Sequence, residues 1–483
     1  MSGRGRSHTS WGRRAAASIA SAVALAAPAA LAAGRADSAP AFLYVGGPTC
    51  SDTGTGTATT PYCTIAKAAK VAVAGQTVLV SAGTYVDEVS PWRSGTATAP
   101  IVFRPASGAR VVISGPRHGF TISNQSWITV SGFEVDDTTG SGIYVYNATG
   151  ITVSGNTVQR SGTRVQGSTQ YGMYLNSMTG GAVQGNLVTD NSASGIYVTN
   201  GSTGLTIAGN EVSWNAYGYV RNAVGIDLRS GPNLVRDNRV HDNEDSGIQL
   251  YPGGDGNTVV DNISFHNKGF TSVQLTNCNH PPTGAVDGCI TGDHGIDNYG
   301  VTGSTIVGNT VVDNVAAGIN VEGVTAGTPT GIALANNVAV DNAVACPDGA
   351  GGTVKCPRTR GNLRVDATSQ TGTSLDFDLL WVSATGETQA VWGTTSYKTL
   401  ATFRAASGTE ASGLEADPLF VARDQGDLRL RSGSPAIDSA NSAAPGQQTA
   451  DATGAPRVDD PATPDTGLGP RTFDDRGAYE YQP

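Results

Sequence analysis

The chain has 483 residues, with 14% charged, 39% hydrophobic, 64 Gly and a formal charge of −10. This apolar fraction argues against disorder, and the wealth of Gly, Thr, Ser, Val and Asn disfavours a helical fold and suits strands and turns. The acidic balance argues against nucleic acid or an anionic membrane as partner.

The first segment reads as an export signal. Arg4, Arg6, Arg13 and Arg14 form a positive stretch, an Ala-rich apolar run extends from Ala15 to Ala29, and Ala30-Leu31-Ala32 fits a small-residue cleavage site. The Arg13-Arg14 pair also fits a twin-arginine signal. A membrane anchor is the alternative, disfavoured because the run is short and Ala-rich. On this reading residues 1–32 are removed and the mature protein is extracellular. It then keeps 26 basic residues against 40 acids, a charge of −14. No later segment reads as a membrane span.

The next signals describe a cap. Ile65, Ala68, Ala69 and Ala72 fall at helical spacing and predict a short helix that plugs one end of the fold. Val78-Leu79-Val80 and Ile101-Val102-Phe103 read as strands. The six Cys form three near pairs, Cys50 with Cys63, Cys278 with Cys289 and Cys346 with Cys356. In an exported chain these read as local disulfides, although six Cys admit other pairings. A metal role is weaker, since there is no C-x-x-C and only six His.

A repeat then dominates the chain. Gly-Ile-x-Val strand starts recur at Gly142, Gly172, Gly195, Gly225, Gly247, Gly295 and Gly318, spaced by 30, 23, 30, 22, 48 and 23 residues. The period is 22 or 23, two coils carry insertions, and the gap of 48 is read as two coils with Ser272-Val273-Gln274-Leu275 as the hidden strand start. Asn156, Asn186, Asn210, Asn238, Asn262, Asn309 and Asn337 repeat in step and predict a ladder of stacked turn side chains. The period is too short for a propeller blade, and Leu is not placed as in leucine-rich repeats. A parallel β-helix remains, each coil burying its apolar face on the next. Residues 33–420 are assigned to the capped helix and 421–483 to a segment packing on or following the last coils. The Gly349–Gly352 stretch reads as a loop and Leu375–Leu380 as a further strand.

The repeat also stacks side chains. Ile and Val of each start point inward, so the alternate positions form two outward columns. The first is Tyr144, Tyr174, Tyr197, Asp227, Gln249, Gln274, Asp297, Asn320; the second is Tyr146, Asn176, Thr199, Arg229, Tyr251, Thr276, Tyr299, Glu322. Tyr144, Tyr174, Tyr197, Tyr251 and Tyr299 offer flat rings to sugars, while carboxylates and Arg grip hydroxyls and acid groups. Stacked Tyr that only stabilise the sheet are the alternative. His294 lies between Asp293 and Asp297 and is a candidate base, ligand or turn residue. Lys268 is the only Lys between Lys70 and Lys355, and comparison of His266-Asn267-Lys268 with His241-Asp242-Asn243 sets it where the preceding coil has a turn Asn. It is a candidate base or a solvated turn residue.

Several segments resemble the secreted β-helix superfamily of lysine-base pectate lyases, chondroitinase-B-type lyases, and alginate lyases and epimerases. They are Tyr44-Val45-Gly46-Gly47, Pro61-Tyr62-Cys63-Thr64-Ile65, Gly83-Thr84-Tyr85 and Ala99-Pro100-Ile101-Val102-Phe103-Arg104-Pro105. Gly433-Ser434-Pro435-Ala436-Ile437-Asp438 and Arg476-Gly477-Ala478-Tyr479-Glu480-Tyr481 are similar to an end segment common in secreted β-helix proteins. The resemblance implies an all-β, right-handed parallel β-helix that acts as a monomer on an extracellular polysaccharide. It implies β-elimination on a uronate chain, with Lys268 as base and Arg229 on the substrate carboxylate. Ca²⁺ would be held by Asp227, Asp245 and Asp293 with Asp297. No compact Asp cluster matches the pectate lyase pattern. The alternatives are glycoside hydrolysis by Asp297 and Glu322, an epimerase variant of the first reaction, and a non-catalytic glycan binder. P-loop, nucleophile-elbow and His-Glu-x-x-His zinc motifs are absent.

Overall fold

A computed structural model describes residues 41–163, 170–216, 223–267, 294–344 and 360–483, and the backbone of strands 346–347 and 353–354. The export-signal reading therefore falls outside the described residues. So do Lys268, Asp293, and the side chains of Cys278, Cys289, Cys346 and Cys356.

Each full coil has three short strands. In one coil they are Ile226–Leu228, Leu234–Arg236 and Arg239–His241; in the next, Ile248–Leu250, Thr258–Val260 and Ile263–Phe265. Corresponding strands pair in parallel from coil to coil. First and second strands merge in two earlier coils into Ile143–Ser154 and Met173–Gln184, which joins their stacks into one sheet of 21 strands; the third strands form an 11-stranded sheet. The interior is a column of β-branched and Leu side chains, among them Ile143, Ile196, Ile226, Ile248, Ile296 and Ile319, all 0–2% exposed. Gly before each of these Ile residues is required: a Cβ on Gly225 would stand 2.6 Å from the Gly247 carbonyl oxygen and 2.4 Å from Val240.

The cap matches its sequence signals. The helix Ile65–Val71 is N-capped by the Thr64 hydroxyl, which accepts from Lys67 N–H, and buries Ile65, Ala68 and Ala69. Cys50 and Cys63 form a disulfide. Val78–Val80 lies in the strand Thr77–Val80 and Ile101–Phe103 in Ile101–Pro105. At the far end Ala390–Trp392 turns back as an antiparallel hairpin with Thr395–Tyr397, and the helix Leu400–Ser407 follows, burying Leu400 and Phe403. This ends the row of unpaired strand edges. The expected strand Leu375–Leu380 is two strands, Thr373–Asp376 and Leu379–Trp381, because the backbone turns at Phe377 with φ 65°.

The Asn ladder forms as expected. Asn238 Nδ2 donates to Asn262 Oδ1 at 2.9 Å and to the Ile207 carbonyl, while Asn238 Oδ1 accepts from Asn210. The chain of contacts runs from Asn156 to Asn337 and ends on Asp378. A second ladder five residues later, missed in the sequence, runs Asn191, Asn215, Asn243, Asn267, Asn314, Asn342, Asn362.

Two register readings need correction. Ile248–Leu250 pairs directly with Ile296–Tyr299, Gln249 facing Asp297, and Asn262 bonds Asn309. The 48-residue gap is thus one coil with a long insertion; no strand stands between Gln249 and Asp297, and Ser272–Leu275 and Thr276 lie outside the described residues. Asn243 bonds Asn267, and His241 pairs with Phe265. Asn267, not Lys268, occupies the ladder position. Matching the two His residues had shifted the alignment by one.

After Phe420 the chain covers the outer side of the third-strand sheet. Ile263, Phe265, Val312, Val338 and Val340 form a second apolar cluster with Phe420, Leu428, Leu430, Ala436, Ile437 and Ala478. Outward apolar residues on three successive coils therefore have a partner.

Candidate functional site

The first strands place the predicted columns in register. Tyr144 pairs with Tyr174, Tyr174 with Tyr197, Tyr197 with Asp227, Asp227 with Gln249, Gln249 with Asp297 and Asp297 with Asn320. Tyr299 pairs with Glu322 in the second column.

At one end the column is an aromatic shelf. Tyr144, Tyr174 and Tyr197 lie with centroids 5.2 and 5.5 Å apart. His118 stacks on Tyr144 at 5.2 Å, and Tyr171 lies flat on Tyr197 at 4.2 Å. His118 and Tyr171 were missed by the sequence reading. Each occupies the position just before the strand-start Gly, as His294 does, so a third column drawn at that position would have found them.

The centre is an ion pair set among rings. Arg229 Nε lies 3.1 Å from Asp227 Oδ2. Its guanidinium sits 4.0 Å from the centroid of Tyr251 and 5.2 Å from that of Tyr197, and Tyr251 stacks on Tyr299 at 5.3 Å. Rings on two sides hold the cation by its π-face contacts and fix its direction. Asp227 is only 1% exposed. Burial pushes its carboxyl up to about 6; Arg229 opposes this, while Asp245 and Asp297 add to it.

Beyond it runs a polar chain. Asp297, also buried, accepts from Gln249 Nε2 at 2.9 Å and Asn320 Nδ2 at 2.8 Å, and its Oδ2 lies 3.5 Å from His294 Nδ1. Burial alone would raise its carboxyl, but His294 and the two amides hold it below the usual carboxylate range. Arg364 donates to Asn320 Oδ1 and Glu322 Oε2, both at 2.6 Å. Arg364, absent from the sequence-based set, thus ties Glu322 to the Asp297 network. It was missed because the coil carrying it lacks the Gly-Ile signature, reading Asn362-Leu363-Arg364.

The described acids here do not converge on a free cation position. Asp227 is engaged by Arg229, Asp297 by Gln249 and Asn320, and Asp245 Oδ1 accepts from Ser246 N–H at 2.6 Å. A Ca²⁺ site on this face would depend on Asp293, outside the described residues.

Comparison with known proteins fits this architecture. Residues 118–323 match the family model described as a right handed beta helix region. A curated relative, the uncharacterized protein YwoF of Bacillus subtilis, is 36% identical over 211 residues, covering 39% of this chain and 43% of the relative. The chain thus matches less than half of that relative's length. The pectate lyase Pel9A aligns at 15% identity over 91% of this chain and 96% of its own, with a TM-score of 0.48. An alginate lyase from Paenibacillus sp. str. FPU-7 aligns at 17% identity over 56% and 91%, with a TM-score of 0.41. Likenesses of this size carry nothing about chemistry. The family match over residues 118–323 and the coil-by-coil parallel pairing agree on a right-handed parallel β-helix fold for this chain.

Proposed function

We propose that the protein is a secreted carbohydrate-active enzyme that binds an extracellular polysaccharide along the first-strand face and cleaves a uronate-containing chain by β-elimination. The observation that carries this reading is Arg229, fixed by Asp227 and two Tyr rings at the centre of an aromatic and polar face. In a chain of net charge −10, a cation held there supplies the local attraction an acidic sugar needs.

Sugar rings would lie on Tyr144, Tyr174 and Tyr197, and Arg229 would receive the uronate carboxylate at the cleavage point. A base takes the C5 proton. The electrons form the C4–C5 double bond, and the C4–O bond breaks as the leaving oxygen gains a proton. Arg229 neutralises the charge that grows on the carboxylate. Lys268, on the insertion before Ile296, is the assigned base, and His294, oriented by Asp297, is the alternative. No step requires Ca²⁺.

Hydrolysis is the second reading, favoured by the opposite displacement of two carboxyls on one column. Asp227 is pushed up to about 6 and Asp297 down, the pattern of an acid and base pair. They stand two strand spacings apart, about 10 Å of backbone, just beyond the carboxyl separation of inverting enzymes and about twice that of retaining ones. This pair replaces Asp297 with Glu322, whose carboxylate is bound by Arg364.

The deciding experiment incubates the mature protein with pectate, alginate and glycosaminoglycans and follows the ultraviolet absorbance of the unsaturated uronate. A rise that Arg229→Ala reduces at least about a hundredfold supports elimination. New reducing ends without absorbance would overturn it in favour of hydrolysis, and retention on an insoluble glycan without products would leave only a binder.

A further inference from the structure

The C-terminal segment holds an acidic group that polysaccharide cleavage does not use. Asp438 ends the Gly433–Asp438 motif, directly after Ala436 and Ile437, which are buried in the second apolar cluster. Its residue is 0% exposed. Its backbone is fully engaged: the N–H donates to Asp475 Oδ1, and the carbonyl accepts from Thr466 and Gly467 N–H groups. Asp438 Oδ1 has one long contact, with Asp460 N–H at 3.5 Å, and Oδ2 is buried with no hydrogen-bond partner among the described residues. A buried carboxylate oxygen without a donor keeps the full cost of its desolvation, so its place in the fold calls for a ligand.

Two further carboxylates meet it. One oxygen each of Asp438, Asp459 and Asp465 lie within 4.8 Å of one another, the last two residues being exposed. The guanidiniums nearby in sequence are committed elsewhere, Arg457 to Asp261 and Glu480, and Arg471 to Asp474. Asp460, between them in the loop, spends its side chain on its own turn through Ala462 N–H and Thr463 Oγ1.

We propose that Asp438, Asp459 and Asp465 bind a calcium ion that ties the 459–467 loop to the buried Asp438 motif. Three carboxylate oxygens with no nitrogen or sulfur donor select a hard cation, and an irregular set completed by water suits Ca²⁺ better than the strict octahedron of Mg²⁺. The ion supplies the missing partner of Asp438 Oδ2 and cancels the repulsion among three like charges. That repulsion, with burial the larger cause, already pushes the Asp438 carboxyl up to about 6. The site is remote in sequence from the cleavage face and independent of its chemistry.

The test uses the mature protein after exhaustive chelation. Calorimetric titration with CaCl₂ and urea unfolding with and without Ca²⁺ are compared for wild type and the double variant Asp459→Asn/Asp465→Asn, whose changes fall on exposed residues and spare the buried Asp438. Wild type is expected to bind one ion more than the variant. Calcium at about a hundred times its Kd should lower the wild-type unfolding constant about a hundredfold beyond any effect on the variant. Equal stoichiometry and equal stabilisation in the two proteins, or no binding by wild type at millimolar Ca²⁺, overturns the proposal.

Discussion

Asp227 is under two opposing influences, burial that favours its neutral form and Arg229 that favours its charge. Burial wins, so the carboxyl is raised to about 6 from an unfolded value near 3.8. The sign follows: the folded state binds the proton more tightly, so this group costs nothing below the unfolded pKa. Its penalty grows as pH rises and is complete above about pH 6. At neutral pH it amounts to about 3 kcal/mol. Asp227→Asn should therefore leave the urea midpoint at pH 8 unchanged or higher, while cleavage falls by about a hundredfold or more. A lower midpoint would mean that the pair with Arg229 outweighs the burial cost. The pH profile separates the two chemistries. If Asp227 is a general acid in hydrolysis, activity is lost above about pH 6; elimination by a deprotonated base persists into alkali.

Among the elements, the Asn ladders fix where each coil turns. Asn238 satisfies the Ile207 carbonyl and accepts from the backbone N–H and the side-chain Nδ2 of Asn210 in a buried corner. Asn238→Ala leaves these groups without partners, and a loss of about 2–4 kcal/mol is expected in urea unfolding. A cost under 0.5 kcal/mol would mean that water replaces the amide. The first ladder was legible because Asn is conspicuous and the period is nearly constant. The second was equally periodic, five residues on, but His241 and His266 offered a false match one residue out of phase. The long insertion was misread for a related reason. Strand-like residues such as Val273 and Leu275 satisfy the pattern locally, whereas pairing between coils is a long-range fact.

For the whole molecule, the C-terminal segment is joined to the coils by apolar packing and by buried cations, among them Arg457 and Arg476. Arg457 is 5% exposed and bonds Asp261 of a coil at 3.0 Å and Glu480 of the tail at 2.9 Å. Arg457→Met strands both carboxylates, and destabilisation of about 3–5 kcal/mol is expected from urea unfolding. Burial also raises the carboxyls of Asp261, Asp475 and Glu480, with neighbouring acids adding to each of the first two. Each binds its proton more tightly folded than unfolded, so the stability these three groups contribute declines as pH rises above the ordinary carboxylate range. Thermal unfolding at pH 5 and pH 8 without added metal should give the higher midpoint at pH 5. The reverse order would mean that the ion pairs of Arg457 dominate.

The sequence by itself determined the period, the inward Ile and Val columns, the first Asn ladder, the capping helix and the two outward columns apart from Gln274 and Thr276. Each of these depends on residues close in the chain or on a simple repeat, and a strand's alternation carries the rest. Only the tertiary structure decided that Asp227 and Asp297 are buried, that their carboxyls move in opposite directions, and that Arg229 is held between Tyr197 and Tyr251. It also brought Arg364 to Glu322 and set Asp438 beside Asp459 and Asp465. Burial and electrostatics are sums over neighbours from separate coils and from the returning tail, and no local pattern records which of those neighbours meet.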